Sequence, residues 1–221
     1  MLTTTYRMND EINAFPSKRF YNGQLLTDIS SAYRRINYTV LPEKNADILD
    51  KECPEVFVDL RHCDMTTYCQ PEAEIIAELV VESIRCRIDP KDIAIIAPYR
   101  AQIHLIKNAI EDLIEDKSVV KGIFIDTVER IQGQERDLVI FSLTTSSLKH
   151  AVEKADFFFL PQRLNVALTR AKCKRIIVGS SYLFNSKSNN SEIQKSIDVF
   201  TDFYNSTCVI QISVDVTDDL F

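Results

Sequence analysis

Two arginines, Arg163 and Arg170, stand seven positions apart around the apolar residues Leu164, Ala167, Leu168 and Ala171. Wound as a helix over 163–172, the apolar side chains share one face, and the two guanidiniums lie along its edge about 10 Å apart by helical rise. Planar cationic forks held at that spacing suit a polyphosphate. A second group follows the apolar run at 122–128: Gln132 and Glu135 offer an amide and a carboxylate, and Gly133 permits a tight turn with close backbone approach. If that run is a strand, the loop leaves its carboxyl end, where α/β sheets bind ligands. Near the start of the chain, Tyr6-Arg7 joins an aromatic ring to a guanidinium, a dipeptide that by itself carries no information. Tyr99 and Gln102 stand at the entry of a helix led by Pro98, where backbone amides and a glutamine suit a phosphate.

The usual device for a nucleotide is missing. Of the four glycines, Gly23, Gly122, Gly133 and Gly179, none precedes Lys-Ser or Lys-Thr, so there is no phosphate-cradling G-x-x-x-x-G-K-[ST] loop. Nor does an acidic pair follow an apolar strand to hold magnesium.

The elements that must position these residues follow from periodicity. Apolar runs at 56–60, 92–97, 122–128, 138–143, 175–179 and 208–214 read as strands, and 72–87 and 101–114 carry apolar residues at helical spacing. Strands alternating with amphipathic helices predict an α/β fold with a mostly parallel sheet covered on both faces. Pro71 fits the first turn of the earlier helix. One domain is expected over 1–221, with 1–55 the least patterned part, a strand-like stretch at 36–41, a polar loop at 185–191 and an acidic end at 215–219 that frays.

Composition narrows the function classes. A 221-residue chain, 45% hydrophobic and 26% charged, is ordinary for a globular domain, and no apolar run approaches the roughly 20 residues that span a bilayer. The first residues lack a basic and apolar leader pattern, which predicts a cytoplasmic protein, or a nuclear one in a eukaryote. Six cysteines form no C-x-x-C pair, and His62-Cys63 with Cys69 lacks the close ligand pairing of a zinc site, so free thiols and no metal centre are expected. A net charge of −6 argues against gripping nucleic acid by bulk electrostatics. Strand contacts must be local, the basic spots being Arg34-Arg35, Lys149-His150 and Lys172 with Lys174-Arg175, each first of all a solvated surface. Glu115-Asp116-Lys117 has a nuclease-like E-x-K spelling but no strand-borne Asp before it, and reads as a helix terminus.

Four segments in order resemble superfamily 1 helicases. Residues 125–135, Ile-Asp-Thr-Val-Glu-Arg-Ile-Gln-Gly-Gln-Glu, resemble their motif V, and residues 163–171, Arg-Leu-Asn-Val-Ala-Leu-Thr-Arg-Ala, their motif VI. Tyr6-Arg7-Met8, followed by Phe20-Tyr21-Asn22-Gly23, is similar to the branch that includes the nonsense-mediated-decay helicase and its DNA-replication relatives, and residues 97–102 resemble that family's Pro-Tyr-x-x-Gln segment. The resemblance runs from Tyr6 to about Gly179. It implies the second RecA-like domain of a two-domain motor, without its own P-loop. Arg170 would then be an arginine finger on the γ-phosphate and Arg7 a second contact there, with Arg163 accessory. Tyr6 would pack on the adenine, Glu135 would hold the ribose or a water, and Gln132 and Gly133 would border the nucleotide. Thr127 would meet a nucleic-acid phosphate, with Tyr99 and Gln102 beside the single-strand channel. The implied cofactor is ATP with Mg, the metal held mainly by a first domain carrying Walker A and B. The implied partners are that domain and a single strand, DNA before RNA, with no membrane. On this reading the chain belongs to a longer ATP-dependent helicase or translocase and does not hydrolyse ATP alone. The alternative is a stand-alone, non-catalytic module that binds nucleic acid or a helicase partner.

Overall fold

The computed structural model describes residues 3–213. In chain order the elements are β1 (Thr4–Thr5), α1 (Asp10–Phe20), β2 (Leu26–Thr27), α2 (Ile29–Ala32), α3 (Ala46–Leu49), β3 (Glu55–Asp59), α4 (Gln70–Arg85), β4 (Ile93–Ala97), α5 (Arg100–Leu113), α6 (Lys117–Gly122), β5 (Phe124–Thr127), β6 (Arg136–Ser142), α7 (Leu148–Glu153), α8 (Ala155–Phe158), α9 (Pro161–Leu168), β7 (Ala171–Gly179), α10 (Ser191–Ser206) and β8 (Cys208–Gln211). Six strands form one sheet in the order β5-β4-β6-β7-β3-β8, and every pairing is parallel. Alternate side chains feed two cores. Val56, Val58, Ile93, Ile95, Leu138 and Ile140 pack with α4 and α5 on one face. Phe57, Ile96, Val139 and Phe141 pack with α1, α9 and α10 on the other. Both faces of the parallel sheet are thus covered, as the alternation of elements predicts.

The expected helices at 72–87 and 101–114 are α4 and α5, and Pro71 lies in the first turn of α4. Of the helices not foreseen, α1 and α10 are the longest. In α1, Asn9 caps the Ile12 amide, Asp10 and Glu11 open the first turn and Lys18 and Arg19 close the last, an arrangement favourable to the helix dipole but masked by Pro16. In α10, Asn190 caps the Glu192 and Ile193 amides, and Ile197, Phe200 and Phe203 are buried. The stretch at 36–41 forms no strand: the Thr39 and Val40 amides turn to the Cys86 carbonyl instead. Asp116, within the E-x-K triplet, caps α6 by accepting from the Ser118 amide. The strand expected at 208–214 is β8, ending at Gln211; position 214 and the acidic end at 215–219 lie outside the described residues. No helix among the described residues is long and apolar enough to cross a membrane.

The helix expected over 163–172 ends at Leu168. The Thr169 hydroxyl donates to the Asn165 carbonyl at 2.8 Å, and Ala171 already pairs with Arg136 in the sheet, so the chain leaves helical geometry between them. Arg163 and Arg170 consequently do not form a rail along one helix edge.

A second correction concerns Lys174 and Arg175, which are fully buried rather than part of a basic surface. Arg175 pairs with Glu55 and donates to the Leu168 carbonyl, satisfying the end of α9. Lys174 donates to the Asp50 and Cys53 carbonyls at 2.8 and 2.6 Å, and burial pushes its pKa down to about 8. Two carbonyls match the two N–H bonds of a neutral amine. Because the folded pKa lies below the unfolded one, the folded state carries an unfavourable charge below about pH 8, a penalty removed as pH rises toward about 10.5. Urea unfolding of wild type and Lys174→Met should therefore diverge between pH 7.5 and 10, wild type gaining up to about 3 kcal/mol relative to the variant. A difference that stays constant with pH overturns the assignment.

Candidate functional site

Pairing of Arg136 with Ala171 sets Glu135 and Arg170 side by side, immediately before β6 and β7 at the amino edge of the sheet. Arg7, between β1 and α1, reaches them from the far end of the sequence. Its Nε donates to Glu135 Oε2 at 2.6 Å and its Nη1 to the Thr169 carbonyl at 3.0 Å. The backbone of this segment is held in turn: Arg34 donates to the Arg7 carbonyl at 2.8 Å, and Ser31 donates to the Tyr6 carbonyl at 2.7 Å. Arg170 is half-buried, its Nε on the Val166 carbonyl at 3.0 Å and its Nη2 on the Thr169 hydroxyl at 2.9 Å. Tyr6 is 66% exposed.

Tyr6, Arg7, Glu135 and Arg170 line one cleft of about 440 Å³, with Tyr21 and Thr169 completing the wall. Its electrostatics are those of an anion site. The hydrogen bond from Arg7 holds the Glu135 carboxyl below its ordinary range. Burial, and then the charge of Arg7, lower the Arg170 pKa, so an added negative charge would relieve the crowding of two cations. A larger cleft of about 580 Å³ between α1 and α10 mixes Glu11, Glu55 and Asp202 with Lys18 and Arg19, and contains none of the candidate site residues. Its acids and bases offset one another, and the smaller cleft is the better candidate.

Residues 128–135 connect the two edges of the sheet. Thr127 ends β5 beside Ala97 at the carboxyl edge, whereas Glu135 precedes β6 at the amino edge. Only the first residues of this loop therefore lie where sequence placed the whole of it. Three successive bonds, Arg130 to Thr127, Gln132 to Glu129 and Gln134 to Ile131, wind the connection tightly, and buried Val128 and Ile131 pin it to the core. Gly133 has φ +84°, a conformation that demands glycine, but it and Gln132 are exposed on the connection and do not line the cleft.

Arg163 belongs to the carboxyl edge. It pairs with Glu129, donates to the Phe157 carbonyl and lies 3.7 Å from the centre of the Phe157 ring, so it is not among the cleft's cations. Tyr99 stands on the same edge, its hydroxyl 3.2 Å from His150 Nε2 and its ring against Phe157. Burial raises the Tyr99 phenol pKa. Thr127 is half-buried there.

Gln102 does not face a ligand. It is fully buried, its Oε1 accepting from the Cys69 amide at 2.7 Å and its Nε2 donating to the Cys69 carbonyl and the Ser142 hydroxyl, each at 3.1 Å. It shapes the edge instead of contacting a strand. Beside it, the buried Glu72 carboxylate accepts from Ser142 and, through both oxygens at 2.9 Å, from the Thr144 amide. Glu72 also meets His62 Nε2 at 2.8 Å, while His62 Nδ1 meets Ser146 at 2.9 Å. The ligand atoms of His62, Cys69 and Glu72 lie within 4.8 Å of one another, but those of the histidine and the carboxylate already have hydrogen-bond partners. Here they form a buried polar network. Sequence reasoning passed over Glu72, although a glutamate on the apolar stripe of Ala73, Ile76 and Val80 is the mark of a buried acid.

Comparison with known proteins shows the family. A family model described as an AAA domain matches residues 1–182. Helicase sen1 of Schizosaccharomyces pombe is 32% identical over 188 residues, covering 81% of this chain and 10% of that protein. DNA polymerase alpha-associated DNA helicase A of Saccharomyces cerevisiae is 31% identical over 194 residues, 81% of this chain and 27% of that protein. A regulator of nonsense transcripts 1 homolog of Drosophila melanogaster is 30% identical over 183 residues, 81% and 15% respectively. The chain thus spans 10% to 27% of the length of these relatives. It belongs to this AAA-domain family, among the superfamily 1 helicases, and has a RecA-like fold, a parallel sheet covered by helices on both faces.

The polar network yields its own prediction. Thr144 is β-branched yet has φ +69°, a strained conformation that Glu72 holds through the Thr144 amide. Glu72→Gln sets an amide donor against that backbone N–H or against Ser142, and should cost at least about 2 kcal/mol in denaturant unfolding. Unchanged stability would show that the network does not hold the edge.

Proposed function

We propose that the chain is the second motor domain of an ATP-dependent helicase or translocase, closing over a nucleotide whose phosphates are cradled by a P-loop-bearing first domain. The convergence of Tyr6, Arg7, Glu135 and Arg170 on one cleft, in a chain without a P-loop, carries this reading. Arg170 and Arg7 supply positive charge to the γ-phosphate and to the charge that develops in phosphoryl transfer. Exposed Tyr6 suits the adenine, and Glu135 suits a ribose hydroxyl or a water. Magnesium is held mainly by the first domain. Since Arg7 is paired with Glu135 here, a phosphate must draw it from that carboxylate, which makes the pair sensitive to whether nucleotide is present.

At the opposite edge Thr127 and Tyr99 face a single strand, DNA or RNA, and residues 128–135 tie that edge to Glu135. Nucleotide-driven closure would then be felt at the strand through one short, tightly wound connection.

Arg170→Ala, made in the protein that carries both motor halves, should lower ATP turnover by on the order of 10³-fold while single-strand affinity stays within about two-fold of wild type. Wild-type turnover in the variant would sink the arginine's role. Tight strand binding by the isolated chain, indifferent to ATP and to the first domain, would favour a stand-alone binding module instead.

A further inference from the structure

We propose that a single strand of nucleic acid crosses the carboxyl edge beyond Tyr99 to a second contact station formed by Arg61 and Tyr182, an inference that rests on the strand reading above. Arg61 lies two residues past β3 and Tyr182 three past β7, so these side chains come from adjacent strand ends on the edge that bears Tyr99 and Thr127. The Arg61 guanidinium sits 5.8 Å from the centre of the Tyr182 ring and makes no hydrogen bond or ion pair among the described residues. Tyr182 is 39% exposed. An exposed aromatic ring bearing an uncommitted guanidinium matches what an unpaired nucleotide presents, a flat base beside a phosphate.

The station is built in advance. Buried Asp59 accepts from the Arg61 amide at 3.1 Å and from the Ser181 amide at 2.8 Å, tying the two loops together from below. Arg61 adopts φ +52°, uncommon for a non-glycine residue, and this backbone bond helps to hold it there. Asp64, exposed on the same loop, is the nearby acid in sequence. From β5 to β3 is four steps across the sheet, about 19 Å at ~4.8 Å per strand, or on the order of five nucleotides at the ~3.4 Å spacing of stacked bases. Along that line Thr127 and Tyr99 come first, with His150 against Tyr99, and Tyr182 and Arg61 follow. The contact is therefore local, as a chain of net charge −6 requires.

The test is fluorescence anisotropy of a labelled twenty-nucleotide oligothymidylate with the 221-residue chain, at several salt concentrations. Arg61→Ala should weaken binding about five-fold and lower the slope of log affinity against log salt by about 0.7. Tyr182→Ala should weaken it about five-fold or more with the slope unchanged, because stacking releases no counterions. Both side chains are exposed, and matched thermal unfolding confirms intact folds. If Tyr99→Ala weakens binding while Arg61→Ala and Tyr182→Ala do not, the strand reading stands and the second station is wrong. No binding by the unmodified chain at low salt overturns both.

Discussion

A parallel sheet leaves a chain with a transport problem at every connection, and in this protein one connection solves it unusually briefly. β5 and β6 both lie parallel to β4, so the backbone leaving β5 at the carboxyl edge must return to the amino edge before β6 begins. Crossovers of this kind usually take a dozen residues or more, often a helix. Here residues 128–135 suffice, wound by three consecutive short-range hydrogen bonds and anchored by Val128 and Ile131. A connection so short and so pinned has little freedom to absorb movement. Thr127 at one end and Glu135 at the other are held in fixed relation, and the two edges of the sheet, chemically unlike, are coupled through a few residues.

The amino edge gathers charge that its surroundings only partly neutralise. Arg7 pairs with Glu135, whereas half-buried Arg170 makes no ion pair among the described residues, so the cleft has one more cation than anion at its centre. The chain as a whole is acidic, and this contrast concentrates positive potential at one place instead of spreading it over the surface. Arg34 and Ser31 keep the Tyr6-Arg7 backbone in place, so that the arrangement forms without a ligand.

Much of this architecture was legible from residue order because strands buried on both faces announce themselves. Ile93 to Ala97 is apolar throughout, and the alternation within β3 and β6 divides cleanly between the two cores. The failures have physical causes. Pro16 hides α1 behind a residue that ordinarily breaks helices, and polar Ser191 to Ser196 makes the start of α10 look like loop. α9 was extended too far because Thr169 to Ala171 keep the helical spacing of apolar residues, whereas pairing of Ala171 in the sheet decides the matter. Lys174 and Arg175 read as surface because sequence does not show which polar residues find buried partners. The same blindness misassigned Gln102. Arg7, Glu135 and Arg170 were individually legible, but their meeting joins segments up to 162 residues apart and is a property of the fold.

The buried polar residues under the carboxyl edge follow from a single requirement. Loops that turn away from strand ends carry backbone amides that no neighbouring strand can accept, and a buried amide without a partner is costly. Asp59 serves the Arg61 and Ser181 amides, Glu72 that of Thr144, Gln102 that of Cys69, and Ser146 that of Met65. Each loop is thus shaped from beneath by a side chain of another segment or of its own base. The exposed residues at the loop tips, Arg61 and Tyr182 among them, carry little of this structural duty. An apolar filling under the edge would give the sheet similar burial but would leave the loops to be ordered by their own tips. Separating support from contact in this way allows exposed side chains to vary with the ligand while the edge that presents them keeps its shape.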